Sequence, residues 1–171
     1  LFRSRLPETV RDRTDVRILG NGIDSLHFDP SLVAPETRML DCPGPRLIFT
    51  GQMDYAPNAE AVIRAQQSIM PLVRRDLPDA TFHVVGRNPV DEVLALDGKD
   101  GCHVWGRVDD IRPWLKGADV ALVPLEIARG VQNKVLEAMA MALPVVLTPA
   151  AAEGIGGEHE SHYRVAESDE A

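Results

Sequence analysis

Apolar and polar positions along this chain change period repeatedly, and the changes cut it into short elements. Unbroken runs rich in β-branched and aromatic residues occur at Arg46–Thr50 (RLIFT), Thr81–Val85 (TFHVV), 103–105, 120–124 and 145–148. Each is short and bounded by Gly, Pro or Asp, which predicts buried strands. Residues 16–19 predict a further brief strand, closed by a turn at Asn21-Gly22. Between the strands the period lengthens to that of a helix. Over 58–77, Val62, Ile63, Ile69, Met70, Val73 and Leu77 form one stripe, with Asn58 placed to cap its start and Pro78-Asp79 to stop it. Shorter helical patterns cover 89–96, 110–116 and 133–141, and in the last Val135, Leu136, Met139 and Leu143 mark the face to be buried.

Strands without polar alternation, interleaved with helices, belong to a parallel sheet covered on both faces, and right-handed crossovers make it doubly wound. The expected fold is therefore α/β and Rossmann-like. Ligands bind such sheets beyond the carboxyl ends of the strands. Gly51, Gly86 and Gly106 follow strands at that edge, and Pro124 leads into a loop containing Gly130. Glycine there allows either a close backbone approach to a ligand or a tight turn. The absence of a Gly-x-Gly-x-x-Gly or Walker loop argues against nicotinamide, flavin or ATP. Residues 1–24 are expected to hold the first strand and an interdomain segment, 25–45 a Pro- and Asp-rich connector, and 46–171 the sheet domain.

Composition narrows the function classes. With 171 residues, 44% of them hydrophobic, the chain suits one domain with a real core. Its 18 basic and 26 acidic residues give a net charge of −8, which argues against a general nucleic-acid or anionic-membrane surface. Any bound anion must be held by a local basic pocket. Cys42 and Cys102 fit no ligand or redox spacing, so a reducing cytoplasmic setting is expected. No apolar run approaches the roughly 18 residues that a membrane span needs. The charged opening does not resemble a signal peptide, and a start without Met is what a piece of a longer polypeptide is expected to have.

The most informative stretch is 129–148, RGVQNKVLEAMAMALPVVLT. A helix opening near Asn133 would aim its free amides and the positive end of its dipole at the loop holding Arg129, Gly130 and Val131, a seat for phosphate. Lys134 adds a full charge. Glu137 can accept two hydrogen bonds from vicinal hydroxyls, as a ribose diol offers, or simply favour the dipole. Elsewhere the reading is plainer. His83 and His103 lie in strands and are expected to be satisfied structural residues, while His159 and His162 lack a third ligand for a metal in a segment expected to be frayed. Trp105 and Trp114 are expected to pack. Asp54 lacks the acidic neighbours of a phospho-acceptor, Asp109-Asp110 begins a helix, and no Ser/His/Asp arrangement is visible.

These residues also carry a resemblance. KVLEAMAMALPVVLTP resembles the segment "vlEAMA-x-G-x-PVV" of family 4 glycosyltransferases of the GT-B fold. GNGID with FDP after it is similar to the "PNGVD…F-x-P" that opens the second domain of those enzymes. LIFTGQMDYAPN, FHVVGR and VWGRVDDIRPWLKGADVALVPL follow in the family's order, so the similarity spans about residues 20–154. GxMDYxPN and GVQNKVLEAMA look closest to bacterial sugar transferases linked to exopolysaccharide and exosortase (PEP-CTERM) systems. The resemblance implies the C-terminal, donor-binding half of a retaining hexosyltransferase that takes a sugar from a nucleotide diphosphate. It needs no metal and no cofactor beyond the donor. The acceptor, a glycan or a lipid-linked sugar, would come from an N-terminal domain of the same chain, which could also touch a membrane peripherally. This half alone would be inactive.

Residue by residue, the resemblance sets Glu137 at the second acid of an E-x7-E pair, on the donor ribose. Gly51, Gln52, Gly130, Val131, Asn133 and Lys134 fall around the diphosphate, Trp105, Arg107 and Val108 beside the nucleobase, and Arg87 near base or phosphates. The candidate catalytic positions are Glu137 and Arg129. Three departures stand out: Arg129 replaces the first acid, with Glu126 out of register by three, and Gln52 and Asn58 replace an Arg and a Lys that steady the leaving diphosphate. Arg129 and Lys134 are the expected substitutes. The alternatives are a nucleotide-sugar epimerase half or a non-catalytic Rossmann-like interaction module.

Overall fold

The computed structural model describes residues 4, 6–11, 15 and 20–171, so the strand expected at 16–19 lies outside the described residues. The sheet begins in its own middle. Strands β1 (Arg46–Thr50), β2 (Thr81–Val85), β3 (Cys102–Gly106), β4 (Val120–Val123), β5 (Val145–Leu147) and β6 (Arg164–Val165) pair in parallel, in the order β3-β2-β1-β4-β5-β6. The chain runs outward from β1 to β3, crosses back to β4, and runs outward again on the other side. This is the expected doubly wound α/β fold, with its switch point between β1 and β4, where Leu47 pairs with both Phe82 and Val120.

Helices α1 (Glu8–Arg11), α2 (Thr37–Leu40), α3 (Ala56–Arg64), α4 (Met70–Asp76), α5 (Asp91–Leu94), α6 (Arg112–Gly117), α7 (Asn133–Ala140) and α8 (Pro149–Ala152) accompany the strands. α3 and α4 are one path joined by a π-turn at Ala65–Ile69. Pro71, in the first turn of α4, has no N–H to give the carbonyl four residues back, and the wider turn absorbs that missing bond. The helix starts at Ala56 with Pro57 in its first turn and Tyr55 at the cap, so Asn58 is not the cap expected of it. Proline's fixed φ starts the helix earlier than the apolar stripe implied, and Asn58 is carried inside.

Core packing follows the apolar runs. Ile48, Phe49, Phe82, Val84, Val123 and Leu147 are buried in the sheet, and Trp114, Leu115, Val135 and Ala138 cover it. Each large side chain so buried contributes roughly 1.5–3 kcal/mol. On α7 the buried pair is Val135 and Ala138, while Leu136 and Met139 are half-buried. His83 is the polar exception at the centre of β2. Its Nδ1 accepts from Trp105 Nε1 at 3.1 Å, and its Nε2 lies 2.9 Å from Thr81 Oγ1, which donates to the Pro43 carbonyl at 2.7 Å. The ring is therefore neutral with the proton on Nε2, and burial pushes its pKa down to about 4.

Three expectations change. The first turn is not at Asn21-Gly22 but at Asp24, whose Oδ1 accepts from the amides of Leu26 (3.1 Å) and His27 (3.0 Å). The connector at 25–45 holds a 3-10 turn at Pro30–Leu32 and α2, which packs on α6 through fully buried Met39. The segment expected to be frayed is held: His159 pairs with Tyr163, the Tyr163 hydroxyl donates to the Gly157 carbonyl at 3.0 Å, and β6 extends the sheet. Among the described residues, no helix is long and apolar enough to cross a membrane, both cysteines are free, and no His/Cys/Asp/Glu group could hold a metal.

Candidate functional site

A cleft of ≈ 640 Å³ opens at the carboxyl ends of β1, β2 and β4, beside the switch point. Its floor is bare backbone. The Gly51 amide donates to the Val85 carbonyl at 3.1 Å and the Gly86 amide to the Gly106 carbonyl at 2.8 Å, so the sheet ladder continues beneath the cleft. A Cβ on Gly86 would stand 1.6 Å from the Gly51 carbonyl oxygen, which excludes any side chain there.

One wall is the start of α7. Gln132, at the cap position, makes no side-chain bond to the helix, and its Nε2 donates instead to the Gly130 carbonyl at 3.0 Å. The first-turn amides thus face the loop before them without a side-chain acceptor. Asn133 is fixed from outside the helix: Asn21 Nδ2 donates to its Oδ1 at 3.1 Å.

Lys134 turns inward from this wall. Its ammonium donates to Asn58 Oδ1 at 2.6 Å and lies 4.0 Å from the centre of the Phe49 ring, while Asn58 Nδ2 donates to the Gln52 carbonyl at 2.8 Å. Burial lowers the Lys134 pKa to about 7, against the opposing pull of Glu137. One turn on, half-buried Glu137 has its carboxyl pushed up by burial and held back in part by Lys134. Across the cleft, Arg87 donates to Gln52 Oε1 at 2.6 Å, near Asp54, whose carboxyl is lowered first by its Gln52 and Asn88 hydrogen bonds. The two departures at Gln52 and Asn58 therefore share one pattern. Each neutral amide holds a cation delivered by another element.

Most of the expected site residues meet here. Gly51, Gln52 and Arg87 line one side, Arg107 and Val108 a second, and Arg129, Val131, Asn133, Lys134 and Glu137 the third. Gly130 and Trp105 do not line it. Gly130 shapes the loop with φ +68°, and the Trp105 indole is turned into the fold, on His83 and 4.9 Å from the Trp114 ring. Of the two cations expected on a diphosphate, Lys134 is turned inward from the α7 wall and Arg129 is exposed. Glu126 points away from the cleft, its carboxylate 3.7 Å from Arg64 on α3, so it does not stand in for the first acid. Asn58, Gly86, Gln132 and Tyr55 also line the cleft. Gly86, as a strand-end glycine, and Asn58, which stands where the family pattern has a Lys on the diphosphate, had a sequence signal for this; Tyr55 had none.

A doubly wound parallel sheet with a polar cleft at its switch point is a Rossmann-like α/β domain with its ligand site at the usual edge. The chain belongs to the family described as glycosyl transferases group 1, whose profile matches residues 44–171. Its backbone is similar to Anabaena Alr3699/HepE in complex with UDP and glucose, at 14% identity and a TM-score of 0.64, over 88% of this chain and 42% of that one. A glycosyltransferase from Rickettsia africae matches at 16% identity and a TM-score of 0.63, over 88% and 43%. The C-terminal domain of LpcC, a glycosyl transferase group 1 family protein from Francisella tularensis, matches at 19% identity and a TM-score of 0.58, over 86% and 82%. The chain thus spans less than half of the first two. No curated protein matches the sequence.

Proposed function

We propose that this chain is the nucleotide-sugar-binding half of a retaining, metal-independent hexosyltransferase acting in polysaccharide synthesis on the cytoplasmic side. The acceptor, a glycan or a lipid-linked sugar, comes from a domain preceding it. One observation carries the reading: Glu137 and Lys134 stand one turn apart at an uncapped helix start, over a floor of bare backbone. Glu137 accepts from the ribose hydroxyls. Lys134, the first amides of α7, the Gly51 backbone and Arg87 take the diphosphate, and Arg107 with the Val108 backbone borders the base. As the bond from the anomeric carbon to the diphosphate breaks, its electron pair leaves with the phosphate oxygen, and these fixed cations stabilise the growing charge. The acceptor oxygen forms the new bond to the same carbon, and its proton passes to the departing diphosphate.

The test is calorimetric titration of the chain with UDP, GDP and ADP. Saturable binding of one of them is expected, weakened at least roughly tenfold in Glu137→Ala by loss of the charged acceptor, with an unchanged melting profile reporting intact folding. Binding of none, or binding indifferent to Glu137→Ala, overturns the proposal and favours a non-catalytic module.

A further inference from the structure

Asn21 does not form the turn that its Asn-Gly pair predicts, and the structure gives it another task. Its Nδ2 donates at 3.1 Å to Oδ1 of Asn133, 112 residues away and the first residue of α7. The segment that carries Asn21 is held at its far end. Asp24 Oδ1 takes the amides of Leu26 and His27, and the His27 carbonyl accepts from Arg112 of α6 at 3.0 Å. Gly20 and Gly22 flank Asn21, and a Cβ on either would meet nothing within 4 Å, so packing does not dictate the course of the backbone there. A side-chain bond, and not packing, joins Asn21 to the helix.

Asn133 lines the cleft, and its carboxamide has two unlike ends. The oxygen only accepts and the NH2 only donates, so the side chain either opposes an anion or binds it, according to which end faces the ligand. Asn21 decides between them. It is not among the residues that line the cleft, and its donor fixes Oδ1 of Asn133 on that outer side. In a planar amide Nδ2 then points elsewhere, and it has no partner among the described residues. The uncapped first-turn amides of α7 and Lys134 stand beside it, so an anion is what this corner suits. Resting on the nucleotide-sugar reading above, we propose that Asn21 is a positioning residue for the diphosphate: by holding Asn133 Oδ1 out of the cleft it presents Nδ2 as a donor to phosphate, and so makes nucleotide affinity depend on where residues 20–24 lie. Without Asn21 the carboxamide is free to turn its oxygen inward, where the lone pairs oppose the phosphate charge.

The test is a double-mutant cycle read by calorimetry with UDP, GDP and ADP. Asn21→Ala is expected to weaken the diphosphate that binds by roughly threefold and Asn133→Ala by roughly fivefold, with Asn21→Ala adding nothing once Asn133 is already alanine. Asn133→Asp separates binding from folding. An acid in the first turn suits the helix dipole, so the melting temperature should hold or rise, while a carboxylate in that place opposes phosphate and should weaken binding at least roughly tenfold. The inference is overturned if Asn21→Ala leaves affinity unchanged, if its effect persists in full beside Asn133→Ala, or if Asn133→Asp binds as tightly as the unaltered chain. In each of those cases the unaltered chain still binds a diphosphate and the donor reading survives. If it binds none of the nucleotides, the donor reading itself fails, and this inference falls with it.

Discussion

Lys134 is the residue on which most of the site's electrostatics turns. Its ordinary value of 10.5 falls to about 7 because the ammonium is withdrawn from water onto Asn58 and Phe49. A diphosphate laid against it favours the charged form and raises that value again, so binding takes up a proton above about pH 7. Nucleotide affinity is therefore expected to be level below about pH 7 and to fall as pH rises, by up to roughly tenfold per unit, until the ordinary lysine range is reached. Lys134→Arg, which does not titrate there, should flatten the profile; calorimetry from about pH 6 to 9 checks both. Lys134 and Glu137 were legible because charge and helical spacing place them without tertiary knowledge. Asn58 was not. Its role depends on a helix that starts two residues earlier, and on a lysine 76 residues away reaching back to it.

At the scale of the element, α7 ends under strain. Ala142 sits at φ +54°, with its amide on the Met139 carbonyl at 3.0 Å and the Leu143 amide on the Ala138 carbonyl at 3.0 Å. This paired closure favours glycine at the left-handed position, where the "vlEAMA-x-G-x-PVV" pattern carries one. The left-handed cost for Ala is about 1–2 kcal/mol, offset by the roughly 0.5–1 kcal/mol of extra chain entropy that glycine loses on folding. Ala142→Gly is thus expected to stabilise the chain by about 0.5–1 kcal/mol, read as a higher urea midpoint with an unchanged slope. Strands and long helices were readable from periodicity because burial sets their pattern. β6, a strand of 2 residues with one half-buried side chain, left no such trace, and neither did α8, which rests on the Thr148 hydroxyl accepting from the Ala151 amide at 3.3 Å.

The whole molecule should respond to acid through a buried histidine. His83 protonates near 6.5 when unfolded but near 4 in the sheet, so the unfolded chain binds the extra proton between those values. Its stability contribution is fully present above pH 6.5 and is lost as pH falls toward 4, to an extent on the order of 3 kcal/mol. Urea midpoints at about pH 7 and 4.5 should differ accordingly, and His83→Gln should narrow the difference. The architecture as a whole was legible because alternating apolar strands and helices admit few parallel topologies. The inward turn of Trp105 was not, since it answers a hydrogen-bond need of His83 on the neighbouring strand, which only the register of β2 and β3 brings beside it. One link joins the chain's entry to its chemistry: the amide of Asn21 grips Asn133 at the mouth of α7. The lead-in segment is thereby stitched to the turn that would receive phosphate. A displacement of that segment would therefore break this hydrogen bond and leave the Asn133 amide oxygen to solvent at the edge of the cleft.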